Sequence, residues 1–596
     1  MRRALPAILF AFAFAFAYYT RVWIALSFSN PEGIIGHLPN LGYHPANDTL
    51  RFAWIVLLPA VAMLAARRWL PPAPAAQPAA ADRNNRRSIL FLSVAVLVFI
   101  CGTFNYDRFP YRLQGGVGGV PLDTYHEGEA LGAAVQWESG QLPYRDTVFY
   151  HGAGEDPGLA LVAFGLFGRS VASLRILIAW LYVVVAILFF FVVRRLFPDR
   201  PRAFLLALSL LWLAWSVRPS HLGFILEIRD AFTLAFILVV TKLRRWSEED
   251  RPRKGYVLFF LAAAIAATAW AYSVDRGIYL TIVSLPVLGA AAVVWARAPR
   301  WPYVVSALVG YALGFLILGV AIRWQYAAMF HYLFHDLIPY RGFLFNRLYD
   351  FGSYIFLAPV LLIAANISWC VRRYTASDSL RPFLRDYGLE VALALLSLVF
   401  YLGALGDSDL HHVWYSAMPA YLLGVRIVVR HLLGRARPRV VGVLAVAALA
   451  LFLGRHIRRI PSDWGRLPAQ VADEELEVLA YPDSGAFWDA VRYLRERVPP
   501  GASFYTIASE SIWFYLLDRP CPTRFPLFHL ALAPHLQREV IADLEAKSVP
   551  YLLYRTPHWT RNKTYPQRFP IVFEYIHAHY EPLKTFGGIE IWHRVD

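Results

Sequence analysis

The side chains best suited to chemistry lie in one polar segment, Asn105–Ser170, between two apolar runs of membrane-spanning length. Most of its acidic and histidine residues fall into three groups: Asp123-Thr-Tyr-His126-Glu127-Gly-Glu129, Pro143-Tyr-Arg-Asp146 and His151-Gly-Ala-Gly-Glu155-Asp156-Pro157. Carboxylates beside a bilayer are costly unless a cation or a reacting group needs them. A carboxylate can also take the proton of an attacking hydroxyl, so this segment, the acidic loop, predicts acid–base chemistry at a membrane surface.

The composition predicts a polytopic α-helical membrane protein that positions this loop. Of 596 residues, 58% are hydrophobic and only 17% are charged. Apolar runs predict about thirteen transmembrane helices. Their centres lie near Phe14, Leu58, Val96, Val184, Leu210, Leu234, Ala264, Ser284, Tyr311, Leu361, Leu396, Leu422 and Ala447. The first run is too long for the apolar part of a signal peptide, so we expect it to be retained.

The net charge of +16 follows the positive-inside pattern and does not indicate nucleic-acid binding. Basic clusters such as Arg194-Arg195 and Arg372-Arg373 fall mostly at every second connection between spans. This pattern places the N-terminus in the cytoplasm, and the acidic loop and the C-terminal tail on the outer face. The three cysteines are far apart and form neither a disulfide framework nor a metal signature.

Four units are predicted along the chain: 1–70, a hairpin of two spans; 71–87, a cytoplasmic linker rich in proline, alanine and arginine; 88–457, the main transmembrane domain; and 458–596, a soluble α/β domain. Within the acidic loop we expect helices over Glu127–Glu138 and Leu159–Phe167, the second lying along the membrane interface. Hydrophobic spacing in the last unit predicts a helix from Phe487 to Val498, a strand over Phe504–Ile507, a helix over Leu536–Ala546, and strands over Tyr551–Tyr554 and Ile589–Trp592.

Three sets of motifs occur in order along residues 88–596: His126-Glu127-Gly128, Gly140-Gln-Leu-Pro143-Tyr144-Arg145-Asp146, His151-Gly152-Ala153 and Phe167-Gly-Arg-Ser170 with Arg175; then Gly406-Asp407-Ser-Asp409-Leu-His411-His412; then Pro522-Thr523-Arg524-Phe525. Together they resemble the motifs of the type C (GT-C) superfamily of bacterial membrane glycosyltransferases, which includes protein O-mannosyltransferases and aminoarabinose transferases. Two positions depart from that pattern. His126 stands where relatives often have an acidic residue, and Gly406 stands where many have arginine.

The resemblance implies a GT-C-like fold in the bacterial inner membrane, and transfer of a sugar, with inversion, from a polyprenyl-phosphate carrier to an envelope lipid, glycan or protein. We predict Asp123 and Glu127 as candidates for the general base, one acting and one positioning. The alternative is that both are solvated and cap the following helix. A lipid-linked glycan flippase and a non-catalytic scaffold of a polysaccharide assembly machine remain alternative functions.

Eight further residues are predicted to bind substrate: Asp146, His151, Asp156, Arg229, Arg276, Arg341, His411 and His412. Arginine suits a leaving phosphate because its planar fork can bind two oxygens. Each has a structural alternative: Asp146 could pair with an arginine, Asp156 could cap the Leu159–Phe167 helix, and the arginines could anchor at the interface. Ligand types occur at His126, Glu127 and Glu129 without a second cluster nearby, so no metal site is predicted, although some relatives use a divalent cation.

Overall fold

The computed structural model describes residues 4–36, 44, 46–71, 90–97, 111–113, 116–118, 122–197, 201–215, 226–246, 252–296, 299–344, 349–377, 379–406, 410–432, 438–456, 473, 484–499, 502–555 and 564–595. The helices are α1 (Leu5–Thr20), α2 (Ala46–Ala65), α3 (His126–Glu138), α4 (Leu159–Phe167), α5 (Val171–Leu196), α6 (Pro201–Trp215), α7 (Asp230–Trp246), α8 (Pro252–Tyr272), α9 (Val274–Val294), α10 (Trp301–Ala321), α11 (Tyr326–His331), α12 (Arg341–Leu344), α13 (Tyr354–Thr375), α14 (Leu380–Phe400), α15 (Leu402–Gly406), α16 (Leu410–Ser416), α17 (Met418–Ile427), α18 (Pro438–His456), α19 (Ser484–Arg497), α20 (Ile512–Leu517), α21 (Pro534–Ala546), α22 (Tyr565–Arg568) and α23 (Pro570–His579). The strands are β1 (Tyr111–Leu113), β2 (Gly116–Gly118), β3 (Phe504–Thr506), β4 (Tyr551–Arg555), β5 (Tyr580–Phe586) and β6 (Ile589–Arg594).

The chain is a multi-pass α-helical membrane protein. Among the described residues, eight helices are long and apolar enough to cross a bilayer: Leu5–Trp23, Ala46–Ala65, Val171–Leu196, Arg253–Tyr272, Val274–Val294, Trp301–Ala321, Tyr354–Thr375 and Leu380–Gly406. All thirteen predicted centres fall in helical residues. Near Leu210 and Ala447 the apolar helices are shorter, and near Leu234 the helix has 17 residues. The count of thirteen spans therefore stays a prediction, as do the four domain boundaries.

Helix α10 illustrates how this sequence forms a membrane bundle. One side of α10 exposes large apolar side chains such as Leu308, which is 60% exposed, as expected of a lipid-facing surface. The other side carries Gly310 and Gly314, where an added Cβ would lie 2.3 Å from the Phe260 carbonyl oxygen and 2.4 Å from the Ala267 Cβ. Small residues four apart let two helix backbones approach closely in a bilayer, so α8 and α10 form a tight pair.

The predicted C-terminal α/β domain is present, and its elements match the predictions to within a few residues. Helix α19 buries Phe487, Ala490 and Leu494, the residues whose spacing predicted it. The four strands form one sheet in the order β3-β4-β6-β5, in which β3 and β4 are parallel and the other pairs antiparallel. Strand β5 was not predicted, because five of its seven residues are exposed and its apolar pattern is weak.

The acidic loop lies between the bundle and the C-terminal domain. Helix α3 packs against α20 across Gly128 and Gly132, where an added Cβ would lie 2.8 Å from the Ile512 nitrogen and 2.3 Å from the Ser511 carbonyl oxygen. The hydroxyl of Ser511 also donates to the Gly128 carbonyl at 2.7 Å. These two glycines are therefore contact points and not helix breakers, and they bring the C-terminal domain directly onto α3.

A second loop, between α10 and α13, joins the acidic loop and the C-terminal domain at the same end of the bundle. We call its residues 326–349 the aromatic loop. Beside it, the Arg323 guanidinium donates to the Trp137 carbonyl of α3 at 3.0 Å. Within it, the Asp336 carboxylate accepts from Arg524 of the C-terminal domain at 2.9 Å. The acidic loop, the aromatic loop and the C-terminal domain thus pack together at one end of the bundle.

Candidate active site

The two predicted base candidates lie at the start of α3, Asp123 just before the helix and Glu127 in its first turn, and each already has partners. The Asp123 carboxylate accepts hydrogen bonds from the backbone nitrogens of Tyr125 and His126, at 3.2 and 2.9 Å, and pairs with the His126 ring at 2.8 Å. Glu127 forms a two-pronged ion pair with the buried Arg175, at 2.5 and 2.8 Å. The capping role that the sequence allowed for Asp123 is thus confirmed, while a catalytic role for either residue stays a prediction.

Glu129, also in the first turn of α3, is the most buried carboxylate of the acidic loop's first group. Its side chain is 7% exposed, and its Oε1 atom has no hydrogen-bond partner among the described residues. Its Oε2 atom lies 3.8 Å from Nδ1 of His151. Burial raises the pKa of Glu129 to about 7, although the cations at His151 and His126 act to lower it. Such a carboxyl exchanges its proton near neutral pH, as a general base requires.

His151 joins Glu129 to Asp156. The Asp156 carboxylate accepts from the His151 backbone nitrogen at 2.9 Å and lies 3.0 Å from Nδ1 of its ring. Burial acts to lower the pKa of His151, but the carboxylates of Glu129, Glu155 and Asp156 outweigh it and raise that pKa to about 10. His151 is therefore a cation beside Glu129 across the physiological range.

The alternative role of Asp156 as a helix cap is wrong. Residues Gly154–Gly158 form a π-helical turn that runs directly into α4, so the helix has no free first turn at Pro157 for Asp156 to cap. The carboxylate points back to His151 instead. The predicted bounds of α4 are confirmed. With nine residues, the helix is also too short to cross a bilayer, as predicted.

The predicted arginines of the bundle form a second polar cluster, which also contains carboxylates. Arg229 pairs with Glu227 and lies 3.4 Å from Asp275, while Arg276 lies 3.4 Å from Asp275 and 3.2 Å from the fully buried Asp230. Both guanidinium groups stand over the ring of Tyr415, 5.2 and 5.3 Å from its centroid. Each arginine is therefore balanced by protein carboxylates.

The other predicted binding residues lie in three different settings. Asp146 pairs with Arg145 at 2.8 Å, which lowers the pKa of Asp146, so its alternative role as an ion-pair partner is confirmed. Arg341 is exposed, and no ion pair involves it among the described residues. His412 is half-buried, 5.2 Å from the ring of Tyr415, whereas the side chain of His411 lies outside the described residues.

The C-terminal domain covers the first turn of α3. The Thr124 hydroxyl donates to Glu510 at 2.9 Å, and the His529 ring lies 6.0 Å from the rings of both Tyr125 and Tyr150. Burial lowers the pKa of His529 to about 3, so that ring is neutral. The site is thus composed of residues from the loop and from the domain.

Sequence analysis missed two features of this region. Glu129 was not among the predicted site residues, because the motif that resembles the GT-C superfamily contains Glu127 and nothing local in the sequence shows which of the three acids becomes buried. The His331-x-x-x-His335-Asp336 pattern was also passed over, although residues four apart share a helix face. Among the described residues, these three side chains bring their ligand atoms within 4.8 Å of one another.

The fold and the site define a multi-pass membrane protein with a buried carboxylate site where the acidic loop meets the C-terminal domain. No protein-family model and no curated protein sequence matches the chain. Among solved structures, it is similar to ArnT from Cupriavidus metallidurans bound to undecaprenyl phosphate, with 14% identity, a TM-score of 0.46, and coverage of 86% of this chain and 98% of that one.

Two further solved structures are similar to the chain. ArnT from Cupriavidus metallidurans in the apo state has 14% identity and a TM-score of 0.39, with coverage of 85% of this chain and 97% of that one. The Archaeoglobus fulgidus oligosaccharyltransferase, tethered to an acceptor peptide, has 12% identity and a TM-score of 0.38, with coverage of 86% and 74%.

Proposed function

We propose that the protein is a membrane glycosyltransferase that moves a sugar, with inversion, from a polyprenyl-phosphate carrier to an envelope acceptor on the outer face of the bacterial inner membrane. The observation that carries the proposal is Glu129, a buried carboxylate with a pKa of about 7 and one oxygen that has no hydrogen-bond partner among the described residues. The motifs that resemble the GT-C superfamily support the donor class.

In the proposed reaction, Glu129 is the general base. An acceptor hydroxyl hydrogen-bonded to Oε1 of Glu129 attacks the anomeric carbon and transfers its proton to that oxygen. The bond from the anomeric carbon to the carrier phosphate oxygen breaks, and the phosphate leaves with the electron pair. Because the nucleophile enters opposite the leaving group, the anomeric configuration inverts.

Asp123 and Glu127 are proposed to position the base, and they remain the competing candidates for its role. Their contacts support positioning. Asp123 binds His126 and the start of α3, and Arg175 holds both oxygens of Glu127. Both oxygens of Glu127 are thus already engaged by a buried guanidinium, whereas Oε1 of Glu129 has no hydrogen-bond partner among the described residues. The amide variants of all three acids distinguish these roles.

Arg341 is proposed to bind the leaving phosphate. Arg229 and Arg276 are already balanced by carboxylates, so a phosphate would have to compete with protein groups at these two positions. Arg341 has no such competitor among the described residues and lies in the aromatic loop, which also contacts the C-terminal domain. An exposed guanidinium can form charge-assisted hydrogen bonds with phosphate oxygens.

The test compares lipid-linked sugars and envelope glycans in cells that lack the gene and in cells complemented with wild-type protein, Glu129→Gln or Glu496→Gln. Glu496 is an exposed glutamate of α19 and serves as the matched control. We expect carrier-linked sugar to accumulate on the outer leaflet without the gene and with Glu129→Gln, at equal protein levels in the membrane. Sugar trapped on the cytoplasmic leaflet would instead indicate a flippase. An amount of carrier-linked sugar that does not change when the gene is removed would indicate a non-catalytic scaffold.

A further inference from the structure

We propose a zinc site that joins the aromatic loop to the C-terminal domain, with His331, His335, Asp336 and His535 as its ligands. Three of these residues come from the loop, and His535 comes from the first turn of α21. Nothing in this proposal depends on the sugar-transfer reaction.

The backbone places the two loop histidines on one face. His331 is the last residue of α11, and the helical path continues through the π-helical turn Tyr332–Leu337. Residues four apart on such a path are neighbours. Their rings stack with centroids 4.7 Å apart and planes 17° apart. Both side chains are more than 60% exposed, so an ion can reach them from solvent.

Asp336 is the common centre of the cluster. Its Oδ1 atom lies 2.9 Å from Nδ1 of His335, 3.5 Å from Nε2 of His535 and 3.9 Å from Nε2 of His331. Ligand atoms at about 2.0–2.1 Å from a tetrahedral zinc ion are about 3.4 Å apart. The three distances from Oδ1 bracket that separation, and the ligand atoms of His331, His335 and Asp336 all lie within 4.8 Å of one another. His535 contacts Asp336 and would move closer to the two loop histidines when it binds the ion.

The hydrogen bonding of the cluster leaves room for a metal. Nε2 of His535 is enclosed by protein but has no hydrogen-bond partner among the described residues, whereas Asp336 is 1% exposed at its side chain. The imidazole nitrogen of His535 and the carboxylate of Asp336 thus lie side by side, as two ligands of one metal ion would. Imidazole and carboxylate together suit zinc, and four ligands from protein fit a closed structural site.

A second layer of contacts already orients the central carboxylate. The other oxygen of Asp336, Oδ2, accepts from Arg524 at 2.9 Å, and Arg524 is in turn bound by both oxygens of Glu539 at 2.7 and 2.8 Å. Glu539 offsets the charge of Arg524, so that the guanidinium repels a bound cation less. Outer contacts that fix a metal-binding carboxylate are typical of protein metal sites, and their loss costs about 10- to 100-fold in affinity.

The test uses the full chain in detergent, purified with a tag that contains no histidine and treated with a chelator. After zinc is added and excess removed, mass spectrometry should find one zinc ion per chain, and cobalt should give the visible absorption of a tetrahedral site. We expect His331→Ala/His335→Ala and His535→Ala to lose both signals, and His577→Ala, at an exposed histidine of α23, to keep them.

Thermal unfolding supplies a readout that does not require the variants to be equally stable. Zinc should raise the melting temperature of chelator-treated wild-type protein and of His577→Ala, and leave that of the two site variants unchanged. Arg524→Gln should weaken zinc binding by about 10- to 100-fold. The proposal is overturned if wild-type protein binds no zinc, or if the site variants bind it as tightly as His577→Ala does.

Discussion

The pKa of Glu129 makes a quantitative prediction for the pH dependence of sugar transfer. The base acts only when it is deprotonated, so kcat/KM should rise with pH through about 7 and level off above it. With a pKa of about 7, only about 9% of the enzyme is in the active form at pH 6 and about 1% at pH 5. The rate should therefore fall about tenfold for each pH unit below 6.

Replacing Glu129 by glutamine should remove this dependence together with most of the rate. Glutamine keeps the shape of the side chain and cannot accept the proton, so kcat should fall by about 100- to 10,000-fold. Because glutamine carries no charge, the desolvation cost of the buried carboxylate also disappears, and the variant should be at least as stable as wild type above pH 7. Loss of rate without loss of stability separates a catalytic role from a structural one.

The assay measures initial rates from pH 5 to pH 9 with a polyprenyl-phosphate sugar donor and protein in liposomes, together with thermal unfolding of each variant. Asp123→Asn and Glu127→Gln are measured in parallel. The reasoning is refuted if Glu129→Gln retains the wild-type rate or the wild-type acid limb near pH 7. If Glu127→Gln alone abolishes both the rate and that limb, the base is Glu127 and the proposed role of Glu129 is wrong.

Three further predictions follow from neighbouring contacts. His151→Gln removes the cation beside Glu129, so the pKa of Glu129 should rise and the acid limb of the rate profile should move to higher pH. Arg341→Ala should raise KM for the donor by about 10- to 100-fold, measured in the liposome assay, because a charged hydrogen bond to phosphate is lost. Gly132→Ala should lower the free energy of unfolding by about 1–3 kcal/mol through its clash with the C-terminal domain, whereas Gly165→Ala, with nothing within 4 Å, should be neutral or stabilising by up to about 1 kcal/mol in thermal or denaturant unfolding.

Much of the fold follows from local patterns in the sequence. Apolar length predicted the eight helices that are long enough to cross a bilayer among the described residues, and hydrophobic spacing predicted α19, α21 and three of the four strands of the C-terminal sheet. The sequence does not show the bounds of the shorter helices near Leu210 and Leu422, because apolar runs alone do not indicate where a helix bends or ends. Helix α17, for example, continues into a π-helical turn over Val428–Leu432.

The candidate site was predictable only in its location. The acidic loop and its motifs contain the three acids at the start of α3, Asp123, Glu127 and Glu129, but the contacts around them involve residues far away in the chain. Arg175, 48 positions later, binds Glu127, while Ser511, 383 positions from Gly128, packs on the same turn. A sequence pattern gives residue types and spacing, whereas the pKa of Glu129 depends on its burial in the folded chain.

The C-terminal domain packs directly against α3. It contacts α3 where Gly128 and Gly132 leave room for its backbone, in the same stretch of helix that bears the buried Glu129. Burial is the largest cause of the raised pKa of Glu129, so a change that loosens this docking should lower that pKa towards its ordinary value of 4.5. The acid limb of the rate profile would then move to lower pH in Gly132→Ala, the opposite direction to His151→Gln, and this pair of opposite shifts would link domain docking to the chemistry of the loop.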